Sequence, residues 1–157
     1  MSAKHTTKYI FLAGGLSAGP ITPLLAVARE WQHHHHNLKP VILDSRKSVA
    51  YSLAKKNQYI FHVIVSGKLR RYWSVRTVLS PFLIVFGFLQ SLWLLNKYRP
   101  VAVLGAGGFV QVPVLAASWI LRIPRFIHQQ DVKLTLSNAI CAPLALSLIH
   151  ISEPTRQ

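Results

Sequence analysis

The chain has 157 residues, 51% of them apolar, with 18 Lys and Arg against 4 Asp and Glu, a formal net charge of +14 and a mean hydropathy of +0.32. This length suits one ordinary domain, and the hydropathy excludes a disordered chain. The single cysteine, Cys141, excludes an internal disulfide framework. A chain this basic and apolar favours an anionic partner, either nucleic acid or a membrane with acidic head groups.

The position of the charge separates these two partners. No acid occurs at residues 45–130, where 12 of the 18 basic residues fall. The densest group, Lys68, Arg70, Arg71 and Arg76, leads directly into a long apolar run. Nucleic-acid binders more often mix basic residues with exposed aromatic and polar ones. The pattern therefore favours a membrane surface and no nucleic-acid partner.

In chain order, residues 9–13 predict a buried strand that ends in a glycine turn. Residues 23–31 predict a helix with a proline in its first turn. A second strand is predicted at 41–43, a short helix at 48–56, and a third strand, rich in aromatic and β-branched residues, at 59–65.

The apolar run at 78–95 has two interpretations. A helix opened by Pro81 and running over residues 82–98 would be about 25 Å long, short of a hydrocarbon core of about 30 Å. It also lies where a crossover helix must join strands three and four. We therefore predict a crossover helix whose excess apolar residues face lipid, and the alternative is that they all pack in the core. The candidates for this patch are Phe82, Val85, Phe86, Leu89 and Trp93.

Further strands are predicted at 101–104 and 125–128, and further helices at 110–121 and 134–146. Strands that alternate with helices through short connections indicate βαβ units and a parallel sheet. The strands lack polar alternation, as expected when both faces are covered. The predicted fold is a Rossmann-like α/β domain.

Two glycine-rich turns follow predicted strands, the sequence 14–19 (GGLSAG) and the sequence 105–108 (GAGG). Ligands of parallel α/β sheets bind at the carboxyl ends of the strands, and small residues let backbone N–H groups approach an anion. An adjacent pair of such turns would suit a diphosphate. The alternative is that both are simply tight turns that need a positive φ.

His128 and Asp131 end the fifth predicted strand, where either could orient a sugar hydroxyl or act as a base. Alternatively, His128 is a core histidine and Asp131 caps the next helix. The run His33–His36 is interpreted as a solvated loop. The pattern indicates no metal site and no cofactor.

Four blocks of the sequence, in this order, resemble glycosyltransferase family 28, whose members add N-acetylglucosamine to lipid I. They are residues 14–23 (GGLSAGPITP), 65–71 (VSGKLRR), 99–113 (RPVAVLGAGGFVQVP) and 123–139 (IPRFIHQQDVKLTLSNA). The resemblance covers roughly residues 9–145.

The resemblance implies one half of a GT-B fold, in which two Rossmann-like domains enclose the active site. The N-terminal domain would engage undecaprenyl diphosphate and dock on the cytoplasmic face of the membrane, while a C-terminal domain would hold most of the UDP-N-acetylglucosamine. The residues at matching substrate-binding positions are Ser17, Ala18, Gly19, Gly107, Gly108 and Asp131.

This chain departs from the family pattern at the first glycine turn. The family has a histidine, proposed as the base, where this chain has Pro20, which cannot take a proton. His128 or Asp131 is then our candidate base. Gln129 and Asp131 also stand where the family has Glu and Asn.

The chain ends soon after this domain. Residues 147–157 resemble the translation of a short-read sequencing adapter, so we interpret them as a non-native tail and expect the C-terminal donor domain to be absent. The domain, residues 1–146, would then be an enzyme half that is inactive alone. An alternative is a membrane-anchoring subunit that recruits a separate donor-binding chain.

Overall fold

The computed structural model describes residues 7–14, 18–34, 37–46, 48–66, 75–130 and 135–150. Within them, six strands form one parallel sheet in the order β3-β2-β1-β4-β5-β6. The predicted Rossmann-like α/β fold is confirmed. The strands are β1 (Lys8–Ala13), β2 (Leu38–Asp44), β3 (Ile60–Val63), β4 (Ala102–Gly105), β5 (Arg125–Gln129) and β6 (Ser147–His150).

The helices cover both faces of this sheet. They are α1 (Ala18–His34), α2 (Val49–Lys56), α3 (Val75–Tyr98), α4 (Gln111–Ile120) and α5 (Leu136–Cys141). Alternate residues of β1 point to two separate cores: Ile10 packs with α1 and α2, and Phe11 packs with α3 and α4. The strand order reverses between β1 and β4, so right-handed crossovers place α1 and α2 on one face and the later helices on the other.

The first helix is longer than predicted. It begins at Ala18 rather than at residue 23, so Pro20 lies in its first turn and Pro23 lies inside it. A first-turn proline removes no hydrogen bond within the helix. Pro23 removes one, because it has no N–H to donate to the carbonyl one turn before it. At its other end the helix includes His33 and His34, both exposed, so the prediction of a loop was wrong there. Residues 35 and 36 lie outside the described residues.

The crossover helix also begins earlier than predicted. α3 spans 24 residues, about 36 Å, with Pro81 inside it rather than before it. The length argument against a membrane span was therefore wrong. The crossover interpretation holds for another reason, because β3 and β4, which α3 joins, belong to the same sheet. Among the described residues, no helix combines the length and hydropathy of a membrane span.

The last predicted helix is much shorter than expected. α5 ends at Cys141, a 3₁₀ turn (Ala142–Leu144) follows, and the chain then enters β6. Pro143 lies at the start of the 3₁₀ turn and has no N–H to donate to a preceding carbonyl, which favours the end of the α-helix at this point. Residues 147–150, predicted to lie outside the fold, pair with β5 in the structure. The non-native origin of 147–157 stays a prediction.

Candidate functional site

The two glycine turns begin side by side at the carboxyl edge of the sheet. β1 and β4 are neighbours, and the Ala106 N–H that begins the second turn donates to the Ala13 carbonyl at 3.1 Å. The Gly14 N–H donates to the Leu43 carbonyl on the other side. This is the point where strand order reverses, the usual ligand position in open α/β sheets.

The second turn has a backbone that requires glycine. Gly107 and Gly108 have φ values of 102° and 81°, in the region that side chains disfavour. The interpretation as a tight turn is therefore correct, and it leaves room for a second role. The Gly107 N–H, however, is already used, because it donates to Oε1 of Gln111 at 2.9 Å. An anion bound at this turn would therefore need donors other than the Gly107 N–H.

Gln111 belongs to a chain of three buried side-chain amides that the sequence analysis missed. Its Nε2 donates to Oδ1 of Asn138, and Nδ2 of Asn138 donates to Oε1 of Gln129. All three side chains are at most 2% exposed. The available signal was a polar residue opening the otherwise apolar helix α4.

His128 precedes this chain of amides at the end of β5 and is 8% exposed. Burial lowers the pKa of its imidazole, so the ring is neutral at pH 7 and could accept a proton. The strand end is also close to the first glycine turn. A Cβ at Gly19 would lie 3.9 Å from Oε1 of Gln130.

A buried carboxyl that the sequence analysis also missed lies on the other side of the first turn. Asp44 ends β2, is fully buried, and accepts the Ser45 N–H at 2.6 Å through Oδ1. Burial raises the pKa of Asp44, and the hydrogen bond from the backbone N–H of Ser45 partly offsets that effect. Oδ2 of Asp44 lies near Gly14, since a Cβ at position 14 would come within 3.5 Å of it.

Several predicted site residues lie outside the described residues, namely Ser17, Lys68, Arg70, Arg71 and Asp131. Ala18 is the first residue of α1, and its side chain is not described. The alternative role given to Asp131 is filled by Thr135, whose hydroxyl accepts the Asn138 N–H at the start of α5. Among the residues that the structure describes, no three metal-ligating side chains come together.

The remaining candidates form one stripe on the outside of α3. Phe82, Val85, Phe86, Leu89 and Trp93 are 57–72% exposed, so the alternative in which they pack in the core is wrong. Their spacing confines them to an arc of about 100° around the helix. The opposite side of α3 is buried, with Leu94 and Leu95 in the core. α3 is thus apolar on two sides. We call its exposed stripe, defined by these five side chains, the outer face of α3.

Residues 9–149 match the profile of the glycosyltransferase family 28 N-terminal domain. Two curated relatives have the same name, UDP-N-acetylglucosamine--N-acetylmuramyl-(pentapeptide) pyrophosphoryl-undecaprenol N-acetylglucosamine transferase. The one from Legionella pneumophila (strain Corby) is 36% identical over 134 residues, which are 85% of this chain and 36% of the relative. The one from Borrelia hermsii is 34% identical over 149 residues, 94% of this chain and 41% of the relative. The chain spans less than half the length of these relatives.

Two solved structures share the fold. The crystal structure of Acinetobacter baumannii MurG superposes with a TM-score of 0.78 at 23% identity, over 96% of this chain and 44% of that one. The glycosyltransferase SsfS6 of Streptomyces sp. SF2575 superposes with a TM-score of 0.62 at 15% identity, over 96% and 52%. In both, the match is to about half of a longer chain.

Proposed function

We propose, from the premise that this chain belongs to glycosyltransferase family 28, that it is the N-terminal half of a hexosyltransferase. The whole enzyme would transfer N-acetylglucosamine from UDP-N-acetylglucosamine to lipid I, an undecaprenyl-diphosphate-linked acceptor, in peptidoglycan synthesis. The observation that carries this proposal is the match of residues 9–149 to the family's N-terminal domain, together with the activity that the names of the two relatives state. The half alone would be inactive, because most donor contacts would belong to a second domain.

The acceptor diphosphate would bind between the two glycine turns. The adjacency of Ala13 and Ala106 supports this placement, and so does the location at the switch point of the sheet. Gly19 and Gly108 themselves carry no side chain, which favours close approach of an anion to their backbone. Ser17, Ala18, Gly107 and Asp131 complete the proposed set.

In the proposed reaction, the 4-hydroxyl of the acceptor sugar attacks the anomeric carbon of the donor sugar, and UDP leaves. A base takes the hydroxyl proton as the new C–O bond forms. His128 is the candidate that the structure describes, because its lowered pKa keeps the imidazole unprotonated at neutral pH. Asp131 is the second candidate. Pro20 can supply no such base.

We further propose that the outer face of α3 docks on the cytoplasmic surface of the membrane. Five large exposed apolar side chains in one stripe favour insertion into an interface, where each contributes about 1.5–3 kcal/mol on full burial. Lys97 lies 4.8 Å above the ring of Trp93, which places a cation beside an aromatic ring suited to the head-group level. The basic residues Lys68, Arg70 and Arg71 would add attraction to anionic lipid.

Vesicle flotation with the full chain tests the membrane proposal. Phe86→Asp and Trp93→Asp should each reduce binding to anionic vesicles, and the wild type should stay bound in high salt, because apolar insertion is not screened. Val49→Asp is the matched control: it removes another exposed apolar residue, on α2 across the sheet, where an acid in the first helical turn is favourable. Docking by this face would be contradicted if wild-type binding disappeared in high salt. It would also be contradicted if Val49→Asp changed binding as much as Phe86→Asp and Trp93→Asp.

Acceptor recognition needs a separate comparison. Vesicles that contain lipid I should bind the full chain more tightly than vesicles of equal charge that contain undecaprenyl monophosphate. The reason is that the second phosphate and the sugar reach the glycine turns. Equal affinity for both vesicles would contradict the acceptor site without affecting the membrane result.

A further inference from the structure

We propose that Gln111 is a positioning residue for the second glycine turn, and that it links this turn through Asn138 to Gln129 at the end of β5. The hydrogen bonds of this inference come from the structure alone. Its consequence for diphosphate binding rests on the proposed acceptor site, which it deepens. Gln111 is the first residue of α4 and is fully buried.

The Gly107 N–H determines how the whole chain of amides is oriented. An N–H can only donate, so Gln111 must present its oxygen there, at 2.9 Å. Its Nε2 then faces Asn138, which must present Oδ1, and Nδ2 of Asn138 must therefore face Oε1 of Gln129. Each of the three amides has one orientation that satisfies its neighbour. Since all three are buried, the wrong orientation would leave polar groups unpaired.

The packing around Gln111 shows why the turn and the side chain depend on each other. A Cβ at Gly105 would overlap Oε1 of Gln111, so the residue that ends β4 has to be glycine for the amide to reach the turn. Gly107 in turn has a φ of 102°, which directs its N–H to that oxygen. Without Gln111, this buried N–H would lose the acceptor that it has in the structure, and the positive-φ conformation would lose a support.

The same chain ties the turn to the strand end that carries the candidate base. Gln129 follows His128 directly, and Asn138 is held by the Thr135 cap of α5. The turn, the strand end and the start of α5 are thus joined by side-chain hydrogen bonds as well as by the sheet. We infer that this linkage sets the spacing between His128 and the proposed diphosphate position.

Amide hydrogen exchange of the full chain, followed by NMR, tests the geometry without any ligand. In Gln111→Leu the Gly107 amide should exchange about tenfold faster or more, because its hydrogen bond is lost. In Gln111→Glu it should stay protected, since a carboxylate oxygen still accepts it, while Asn138 turns to donate to the other carboxylate oxygen and Gln129 turns to donate to Oδ1 of Asn138. The ring signals of His128 should shift in Gln111→Leu. Unchanged Gly107 exchange in Gln111→Leu would overturn the proposal.

Gln90→Leu is the matched control for these variants. Gln90 bonds backbone through both amide atoms, donating to the Val63 carbonyl and accepting the Val65 N–H at 3.1 Å, but it does so beside the edge strand β3, three strands away from β4. It should lower global stability and leave Gly107 exchange unchanged relative to the rest of the domain. If Gln111→Leu fails to fold, Asn138→Ala replaces it. That variant should still accelerate Gly107 exchange because Gln111 loses its support, and no acceleration would overturn the proposal.

Titration with inorganic diphosphate separates the two proposals. The wild type should show shifts of the Gly107 and Gly108 amides, and Gln111→Leu should bind about tenfold more weakly. No binding by the wild type would refute the acceptor site, while the exchange results would still decide the role of Gln111. Equal binding by the wild type and Gln111→Leu would refute the positioning role and leave the acceptor site standing.

Discussion

Gly87 of α3 packs directly against the carbonyl oxygen of Val65, so closely that a Cβ at position 87 would overlap this oxygen. The close approach joins the helix to the backbone that leaves β3. Gln90, one turn further along, bonds Val63 and Val65 in the same segment. The helix α3 and the backbone of Val63–Val65 are therefore held as one unit.

Gly87→Ala should destabilise the domain by about 2 kcal/mol or more, because backbone must move to admit the methyl group. Gly19→Ala is the matched control, since among the described residues its Cβ, in the first turn of a helix, would meet nothing nearer than Oε1 of Gln130 at 3.9 Å. Alanine there should be neutral or stabilising by up to about 1 kcal/mol. Urea unfolding measures both, and equal effects would refute the close approach at Val65.

A second prediction concerns Arg122, which follows α4 with a φ of 56°. Its N–H bonds the Trp119 carbonyl, and the Ile123 N–H bonds that of Ser118, as in a helix end that favours glycine. Arg122→Gly should raise the free energy of unfolding by about 0.5–1 kcal/mol, because it relieves the left-handed conformation. Arg122→Ala keeps the Cβ and should change little. If alanine stabilises as much as glycine, charge rather than backbone conformation is the cause.

The fold was predictable from the sequence because its signals are local. Buried apolar runs such as residues 9–13 and the glycines after them predict strands and turns directly, and their alternation with helices predicts a parallel sheet. Helix ends were less predictable. The sequence predicts helix starts at Pro23 and Pro81, but each lies inside a helix, where packing against the sheet outweighs one lost hydrogen bond.

The site was predictable only in part. The glycine turns and His128 stand out in the sequence, but Gln111, Gln129 and Asn138 meet only after β4, β5 and α5 have packed together. Contacts 9 and 27 residues apart leave no periodic trace in a single sequence. Asp44 was missed for a similar reason, since its carboxyl becomes buried only when β2 pairs with β1 and places it beside Gly14.

A third prediction is a pH dependence from Asp44. Burial raises its folded-state pKa above the ordinary value of 3.8, so the folded state holds the proton more tightly than the unfolded chain. The stability contributed by the protonated form is complete below 3.8 and is lost as pH rises through the folded-state pKa. Asp44→Asn keeps an acceptor for the Ser45 N–H and carries no charge. The variant should lose this decline, which urea unfolding at a series of pH values measures.

Two histidines, the buried His128 and the half-buried His62, provide the internal contrast for that experiment. Burial lowers the pKa of His128, so it contributes a loss of stability as pH falls below 6.5. His62 behaves alike, through burial first and the nearby Lys97 charge second. These contributions have the opposite sign to that of Asp44. The difference between wild type and Asp44→Asn therefore isolates the carboxyl, and a difference that does not change with pH would contradict its raised pKa.

The last prediction uses Cys141, which is fully buried at the end of α5 and whose pKa burial raises to about 12. Only the thiolate reacts with thiol reagents, and at pH 8 it is rare and inaccessible in the folded chain. Labelling by a disulfide reagent should therefore be far slower than in denaturant and should follow opening of the domain. Because the chain has one cysteine, the rate reports on this position alone.

Asn138→Ala, which removes a hydrogen bond that holds α5 to β5, should accelerate labelling, while Val49→Asp on the opposite face of the sheet should not. Rapid labelling of the wild type in native buffer would contradict the packing of α5 against α4.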